Sequence, residues 1–525
     1  MKSFDTHILD CTLRDGGYVN DWLWGFLRSK AIINNLVHAG IDMVEVGFLR
    51  DIDNYDENIT VCNTIEELNR LLPKNYENTV FTAMTMCGDY DIRKLSPYSG
   101  KGISVIRITA HDYDIDDGIA LAKRIQELGY EVSMNPINIM GYTTEEVIGI
   151  INKVNKINPY QFSIVDTFGS MKLRHMKKLV LLADSELNSS IKLGLHLHEN
   201  MSSATLLAQS FLDIRVQRDI TIDASLMGVG RDPGNLPIEL IADHLNDDFG
   251  EKYKIEFLLD SIESHVLEMH GNTAWGYNPA YFLSARHNLH RNYSEFYLAK
   301  GDLTQRNIND IFQRFSEKKK TVFDKIYAEN LYSEFKEDNI DDTEDRFKLG
   351  KELSERDILL LAPGATLTTR KDKIISHIET NNPIVISVNF LPNDYDVDFA
   401  FFGNARRYQM FDSKICKIIT TSNIKAENAD YRLNYVNLFD SNDKYVNSMP
   451  LFLRFLLSIG IKRVSIAGAD GFVKAGQNYF DEYLWSKNEN NSDINDYTGK
   501  LLKNIGLELD YITPSLYENA DMEVL

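Results

Sequence analysis

The stretch Asp10-Cys11-Thr12-Leu13-Arg14-Asp15-Gly16-Gly17 decides how the rest of the chain is read. It closes the short apolar run Thr6–Leu9 with an arginine and a carboxylate side by side at a glycine turn. An apolar run that ends in polar residues and a turn is the strand end of a βα unit. The same unit recurs downstream. Further apolar runs stand at Met43–Val46, Thr79–Met84, Ser104–Ile108, Glu131–Asn135, Gln161–Val165, Lys192–His196 and Thr221–Ser225. Between them lie helical patterns such as Gly118–Leu128, Thr144–Ile157 and Ser202–Leu212. Eight strand–helix repeats predict an α/β fold of the (β/α)8 TIM-barrel type. Such a barrel needs about 250 residues, and the span up to the neighbourhood of Tyr281 supplies them.

At 525 residues the chain exceeds one ordinary domain. The reading assigns residues 1–290 to the barrel, 291–352 to a helical linker region and 353–525 to a second domain. The charged run Ser316–Asp345 reads as a solvated helix pair or a linker region. A new alternating pattern opens at Asp357-Ile358-Leu359-Leu360-Leu361-Ala362-Pro363-Gly364. It continues through strand candidates Pro383–Asn389, Phe399–Gly403, Lys417–Thr421 and Arg463–Gly468, with helices at Thr369–Glu379 and Met449–Ser458. That pattern predicts an open, mostly parallel, Rossmann-like α/β domain.

Lys plus Arg is 56 against 77 Asp plus Glu, a formal net charge of −21. This balance argues against nucleic acid or an anionic membrane as a partner, while leaving room for a local basic pocket. Cys11, Cys62, Cys87 and Cys416 show no paired spacing, so a reducing setting is expected rather than a disulfide framework. The start Met1-Lys2-Ser3-Phe4-Asp5 has no apolar signal core, and no run approaches membrane-spanning length. A cytoplasmic protein is expected.

In a barrel, the polar residues at the strand ends all meet on one face, where such folds do chemistry. These are Asp15, then Glu45 and Gly47, then Arg107, Thr109 and His111, then Asn135, Asp166, Thr167, His196 and His198, and finally the loop Gly228–Asn235. On a strand, residues two apart point the same way, so His196 and His198 can face one ion together with Asp15. Imidazole and carboxylate donors suit manganese, zinc, iron or a similar divalent ion. A lone His-x-His is more often structural, and it is the coupling to Asp15 and the strand register that favours metal. Asn235, in Gly230-Arg231-Asp232-Pro233-Gly234-Asn235-Leu236-Pro237, is a fourth donor or simply a turn asparagine.

Arg14 has a chemical reason to stand beside such an ion. A metal that binds a 2-oxo acid acidifies the adjacent carbon. The enolate so formed needs fixed positive charge, and a guanidinium stays protonated at any working pH. Glu45 would hold Arg14 in place; a plain salt bridge at the barrel mouth is the bland alternative.

Asp10–Gly16, Glu45, Asp166-Thr167, His196-Leu197-His198 and Gly234-Asn235-Leu236 together resemble the DRE-TIM metallolyase (HMG-CoA lyase-like) superfamily, and most of all the 4-hydroxy-2-oxovalerate aldolases. The stretch Val105–His111 is similar to the fourth-strand region of those aldolases. The resemblance covers roughly residues 5–290. It implies metal ligation by Asp15, His196, His198 and Asn235, and an enolate-stabilising role for Arg14 with Glu45 as the acid of the motif. It also implies a hydroxyl contact from Thr167 to a pyruvyl carboxylate, with Arg107 among the substrate-binding residues. Tyr281, followed by Arg286-His287, resembles a segment whose tyrosine lies near the aldolase active site. One departure stands out. The aldolases carry a histidine three residues after the metal-binding aspartate, and here that position is Tyr18. The proton-transfer group is therefore open among Tyr18, Tyr281, His111 and water.

The implied activity is a divalent-metal-dependent aldolase, with Mn2+ ahead of Mg2+, Co2+ or Zn2+, acting on a small-molecule 2-oxo acid and an aldehyde. An acyl-CoA-dependent lyase or condensing enzyme is the first alternative. Its lyase branch uses a cysteine in the loop after the eighth strand, and Leu226–Asp232 has none. The second alternative is an inactive binding or assembly protein. The second domain loosely resembles α/β domains of glycan-assembly proteins, which implies a nucleotide- or phosphate-bearing ligand and a setting in glycan or sugar-precursor biosynthesis. The turn Ala362–Thr366 is a candidate phosphate cradle or an ordinary strand–helix turn. Homo-oligomer formation is left open.

Overall fold

A computed structural model describes residues 4–518 except 77, 232, 251, 273–274, 302, 337–339, 410–415, 439–446 and 473–490. The chain divides into two compact units, Met1–Glu295 with Phe315–Phe323, and Phe296–Arg314 with Asp324–Leu525.

The first unit is built on eight parallel strands: β1 (Thr6–Asp10), β2 (Met43–Leu49), β3 (Val80–Met86), β4 (Val105–Ala110), β5 (Glu131–Pro136), β6 (Gln161–Val165), β7 (Lys192–His196) and β8 (Ile220–Ala224). Each strand pairs with the next in order, and β1 pairs with both β2 and β8, so the sheet closes into the expected TIM barrel. A two-residue strand, Val61–Cys62, adds to the outer side of β2. There Gly47 is required by contact: a Cβ would lie 2.1 Å from the Thr60 carbonyl oxygen. Alternate residues of each strand point outward into a layer of helices, where Ile106, Ile108, Val132 and Leu195 join one large apolar core.

Local signals set the helices. Thr143 and Glu146 form a reciprocal cap at the start of Thr144–Ile157, and Asn158 ends that helix in the left-handed region at φ 45°. Helix Ala204–Leu212 begins two residues later than the sequence pattern suggests, and helix Ile115–Glu127 begins three earlier. Asp10, fully buried, is pushed up to about 7 by burial despite its hydrogen bonds from Thr12. The Thr12 hydroxyl in turn accepts the Leu226 N–H at 2.9 Å, which ties the end of β1 to the loop after β8.

The second unit carries seven strands: β9 (Ile358–Leu361), β10 (Ile384–Val388), β11 (Phe399–Phe402), β12 (Lys417–Thr421), β13 (Tyr431–Leu433), β14 (Arg463–Ala467) and β15 (Glu508–Tyr511). The order across the sheet is β13-β12-β11-β10-β9-β14-β15, with every pairing parallel. The central strands are continuous apolar runs buried on both faces, as a helix-covered parallel sheet demands. β13 and β15 lie beyond the strand candidates read from the sequence. One is three residues long and the other carries charges at an edge.

At the turn after β9, the Thr366 N–H and hydroxyl donate to the buried carboxylate of Asp470. No disulfide joins Cys11, Cys62, Cys87 or Cys416. No helix among the described residues is long and apolar enough to cross a membrane.

Candidate active site

Closing the barrel brings charged side chains from five different strand ends into its interior. Asp15 and Arg14 come from the short helix Thr12–Asp15 after β1, Glu45 from β2, Arg107 from β4, His196 from β7 and Asp223 from β8. All six are buried, with exposures between 0% and 5%. Charges so placed persist only when they are paired.

They are paired in one unbroken series. Arg14 Nη1 donates to Asp15, and Arg14 Nε donates to Glu45 Oε2 at 2.7 Å. Arg107 Nη1 donates to the other oxygen of Glu45 at 3.1 Å, while its Nη2 donates to Asp223 and, at 3.2 Å, to Asn135 Oδ1. Asp223 Oδ2 then accepts from His196 Nδ1 at 3.1 Å. Three carboxylates against two guanidiniums leave one negative charge in this buried series.

The two ends of the series, Asp15 and His196, meet again at His198. One donor atom each from Asp15, His196 and His198 lies within 4.8 Å of the others, a set that could hold a metal ion. The donors are already oriented. His198 Nδ1 donates to the Asp166 carbonyl at 2.8 Å, and its Nε2 stands 3.8 Å from Asp15 Oδ2. Both imidazoles therefore have Nδ1 engaged and Nε2 left with its lone pair, the arrangement that outer partners impose on metal-binding histidines. Electrostatics agree with the geometry. Burial pushes Asp15 up, but Arg14 and His198 outweigh it and hold the carboxyl well below its ordinary range. Burial, against the pull of Asp223, lowers His196 and keeps the ring neutral. A neutral His196, an ionised carboxylate and a surplus negative charge all fit a divalent cation.

Asn235 is part of the same group. Its backbone bridges to His198, and its Nδ2 donates to Asp15 Oδ2 at 2.7 Å and to the Val229 carbonyl at 3.0 Å. Its Oδ1 is buried with no hydrogen-bond partner among the described residues. Gly230 makes this packing feasible, since a Cβ there would stand 2.1 Å from Asn235 Nδ2 and 2.8 Å from Asp15 Oδ2.

The other residues singled out from the sequence fall around this cluster in different ways. Thr167 Oγ1 accepts the Asn138 N–H at 2.7 Å. Arg107 is 1% exposed and its two terminal nitrogens are taken, so it lies beneath the cluster. Tyr18, in the turn Gly16–Val19 that follows Asp15, packs edge-on against Trp22, and no described residue hydrogen-bonds its hydroxyl. His111 faces Asp114 at 3.5 Å and stacks on Tyr113. The Tyr281 hydroxyl donates to Glu295 at 3.3 Å, and no hydrogen bond among the described residues links it to the ligand cluster.

Three contributors escape the sequence reading. Asp223 is the main one; a carboxylate inside the apolar run of β8 was the available signal, since such a charge stays buried only when paired. Arg231 stands in the quoted loop without a role, and its guanidinium lies 5.1 Å from the centre of the Tyr18 ring. His290, at the very end of the span assigned to the barrel, packs against Phe168 beside the site.

Comparisons with known proteins point the same way. The family model described as HMGL-like matches residues 5–258. The chain is 24% identical over 275 residues to a 4-hydroxy-2-oxovalerate aldolase of Pseudoalteromonas translucida, covering 51% of this chain and 78% of that protein. It is also 24% identical over 272 residues to 4-hydroxy-2-oxovalerate aldolase 1 of Mycobacteroides abscessus, covering 50% and 73%. Among solved structures, the N-terminal domain of a candidate aldolase from Bacteroides vulgatus aligns with a TM-score of 0.48 at 25% identity, covering 56% of this chain and 96% of that one. Residues 5–258, the barrel that carries Asp15, His196 and His198, match the HMGL-like family model as one domain.

Proposed function

We propose that the barrel is a divalent-metal-dependent aldolase. It splits a 4-hydroxy-2-oxo acid into pyruvate and an aldehyde, or runs the reverse condensation. The observation that carries this reading is the unbroken series of ion pairs that fixes Arg14 beside Asp15 and ends on His196. Asp15, His196 and His198 would hold the metal, with Asn235 alongside, and manganese is the ion we put first. When bound, the ion supplies Lewis-acid polarisation of the 2-oxo group and so acidifies the neighbouring carbon.

The chain's own residues do the rest. Arg14 presents fixed positive charge to the enolate oxygen. Its Nε is tied to Glu45 and its Nη1 to Asp15, so it need not reorganise as charge develops. Arg107 and Asp223 act as positioning residues: one braces Glu45 and the other fixes the tautomer of His196. Thr167 has its oxygen occupied by the Asn138 N–H, which leaves the hydroxyl proton to donate to the pyruvyl carboxylate. Tyr18 moves the proton of the 4-hydroxyl. It follows Asp15 on the same turn and no described residue hydrogen-bonds its hydroxyl, whereas Tyr281 is engaged by Glu295 and His111 stacks on Tyr113 with Nδ1 3.5 Å from Asp114.

Two measurements test this on the metal-loaded full chain. Mass spectrometry of pyruvate incubated in D2O reads methyl-proton exchange, the enolisation step. Aldehyde-dependent loss of pyruvate reads the whole reaction. Both are expected. Metal shown to be bound by elemental analysis, with neither exchange nor pyruvate loss across a broad aldehyde panel, would overturn the proposal.

A further inference from the structure

The mouth of the barrel carries positive charge that neither the ligand cluster nor Arg14 accounts for. Arg231 directly follows Gly230, the residue packed against Asp15 and Asn235. Consecutive Cα atoms lie about 3.8 Å apart, so the Arg231 side chain departs from the rim of the cluster. Its guanidinium lies over the Tyr18 ring at 5.1 Å. One terminal nitrogen donates to Asn292 Oδ1 at 3.4 Å, while Nε is buried and has no hydrogen-bond partner among the described residues. None of the ion pairs among the described residues involves Arg231.

A second guanidinium, that of Arg291, acts on the same imidazole, His290, as Arg231 does. Arg291 Nη1 lies 3.7 Å from Glu295 Oε1, and Glu295 also receives the Tyr281 hydroxyl. His290 lies edge-on to Phe168, with its main-chain N–H on the Lys320 carbonyl at 2.7 Å. Its Nδ1 accepts the Asn292 N–H at 3.2 Å. Burial, then Arg231, Arg291 and His111, push the His290 imidazole down to about 3, so it stays neutral with Nε2–H as a donor. Among the described residues, Arg291 pairs with Glu295, while Arg231 pairs with no carboxylate.

We infer that Arg231, backed by Arg291 and His290, forms an anion subsite for the aldehyde, so that the acceptor substrate is a short aldehyde ending in a phosphate or a carboxylate. The inference rests on the aldolase reading and on the position of Tyr18. Condensation forms one bond between the methyl carbon of pyruvate, as its enolate, and the aldehyde carbon. The carbonyl electron pair goes to oxygen, which takes a proton, and no oxidant or reductant is involved. With Tyr18 serving that oxygen and Arg231 lying on the Tyr18 ring, a group bound by Arg231 falls a few bonds beyond the carbonyl carbon. Guanidinium groups bind phosphate and carboxylate through paired donors, and partial burial of the rim strengthens that contact.

The test uses the metal-loaded full chain and follows pyruvate consumption with D-glyceraldehyde 3-phosphate and succinic semialdehyde, against D-glyceraldehyde and butanal. The charged aldehydes should have kcat/KM higher on the order of tenfold or more, carried mainly by KM. The better of the two charged probes identifies phosphate or carboxylate as the preferred group. Arg231→Gln should collapse the charged-to-neutral ratio, and Arg231→Lys should restore part of it. Equal kcat/KM for charged and neutral aldehydes, or an unchanged ratio in Arg231→Gln, overturns the subsite. Deuterium exchange into pyruvate without aldehyde separates the two layers: normal exchange with no charge preference removes the subsite alone. Neither exchange nor consumption removes the aldolase reading and the subsite together.

Discussion

Replacing Asp223 with asparagine isolates the contribution of the buried ion-pair series to metal binding. Asp223 is 1% exposed, and its Oδ2 serves both the Arg107 guanidinium and His196 Nδ1 at 3.1 Å. Asparagine keeps the shape and one acceptor but carries no charge. His196 then loses the anion that orients it, and outer partners of metal-ligating histidines contribute about 10–100-fold in affinity, or roughly 1.4–2.7 kcal/mol. The series also goes from one surplus negative charge to none, which weakens its attraction for a dication. Arg107 keeps Glu45 at 3.1 Å and is not stranded. The loss of stability should therefore be about 1–3 kcal/mol, below the roughly 3–5 kcal/mol of an orphaned buried charge. Calorimetric titration of the metal-stripped variant with Mn2+, paired with a thermal melt, reads both effects. A folded Asp223→Asn protein that binds Mn2+ within about twofold of the parent would refute the reasoning.

Other perturbations probe neighbouring links. Arg14→Lys should keep its metal content but lose on the order of 10²–10³ in kcat, because an ammonium cannot hold Glu45 and Asp15 at once; elemental analysis and pyruvate turnover check the two halves. Gly230→Ala places a methyl group 2.1 Å from Asn235 Nδ2 and 2.8 Å from Asp15 Oδ2, so metal affinity should fall and stability drop by about 1–3 kcal/mol, read by titration and melting. His290 sits at about 3 in the folded protein against an ordinary 6.5, so the folded state binds fewer protons in that window. Its contribution to stability is complete above pH 6.5 and is lost as pH falls toward 3. His290→Gln should flatten denaturant-midpoint profiles across that window by up to about 1.4 kcal/mol per pH unit, and identical slopes in both proteins would count against the burial argument.

Much of the candidate site is legible in the sequence because its signals are local. A period of two puts His196 and His198 on one face of a strand, and Arg14-Asp15 at a glycine turn announces a strand end. The eight apolar runs and their spacing are enough for the barrel, and capping pairs such as Thr143 with Glu146 place the helix starts. In the second unit, the buried runs of β9 to β12 read as strands by apolar content alone. The short β13 and the charged β15 do not, because an edge strand owes its existence to a neighbour.

What the linear chain determined, then, is the architecture and the identity of the three donor side chains, since both follow from residue type and spacing along single elements. Only closure of the sheet decided which charges meet. Asp223 and Arg107 are separated by 116 positions, and Asp15 and Asn235 by 220, so no local pattern couples them. β1 must pair with both β2 and β8 before these side chains share one dry interior. There the cost of leaving a charge unpaired selects the Asp15–Arg14–Glu45–Arg107–Asp223–His196 series over any other arrangement. The same closure left Tyr281 on Glu295 and set Arg231 against Tyr18, outcomes that depend on three-dimensional proximity and not on sequence spacing.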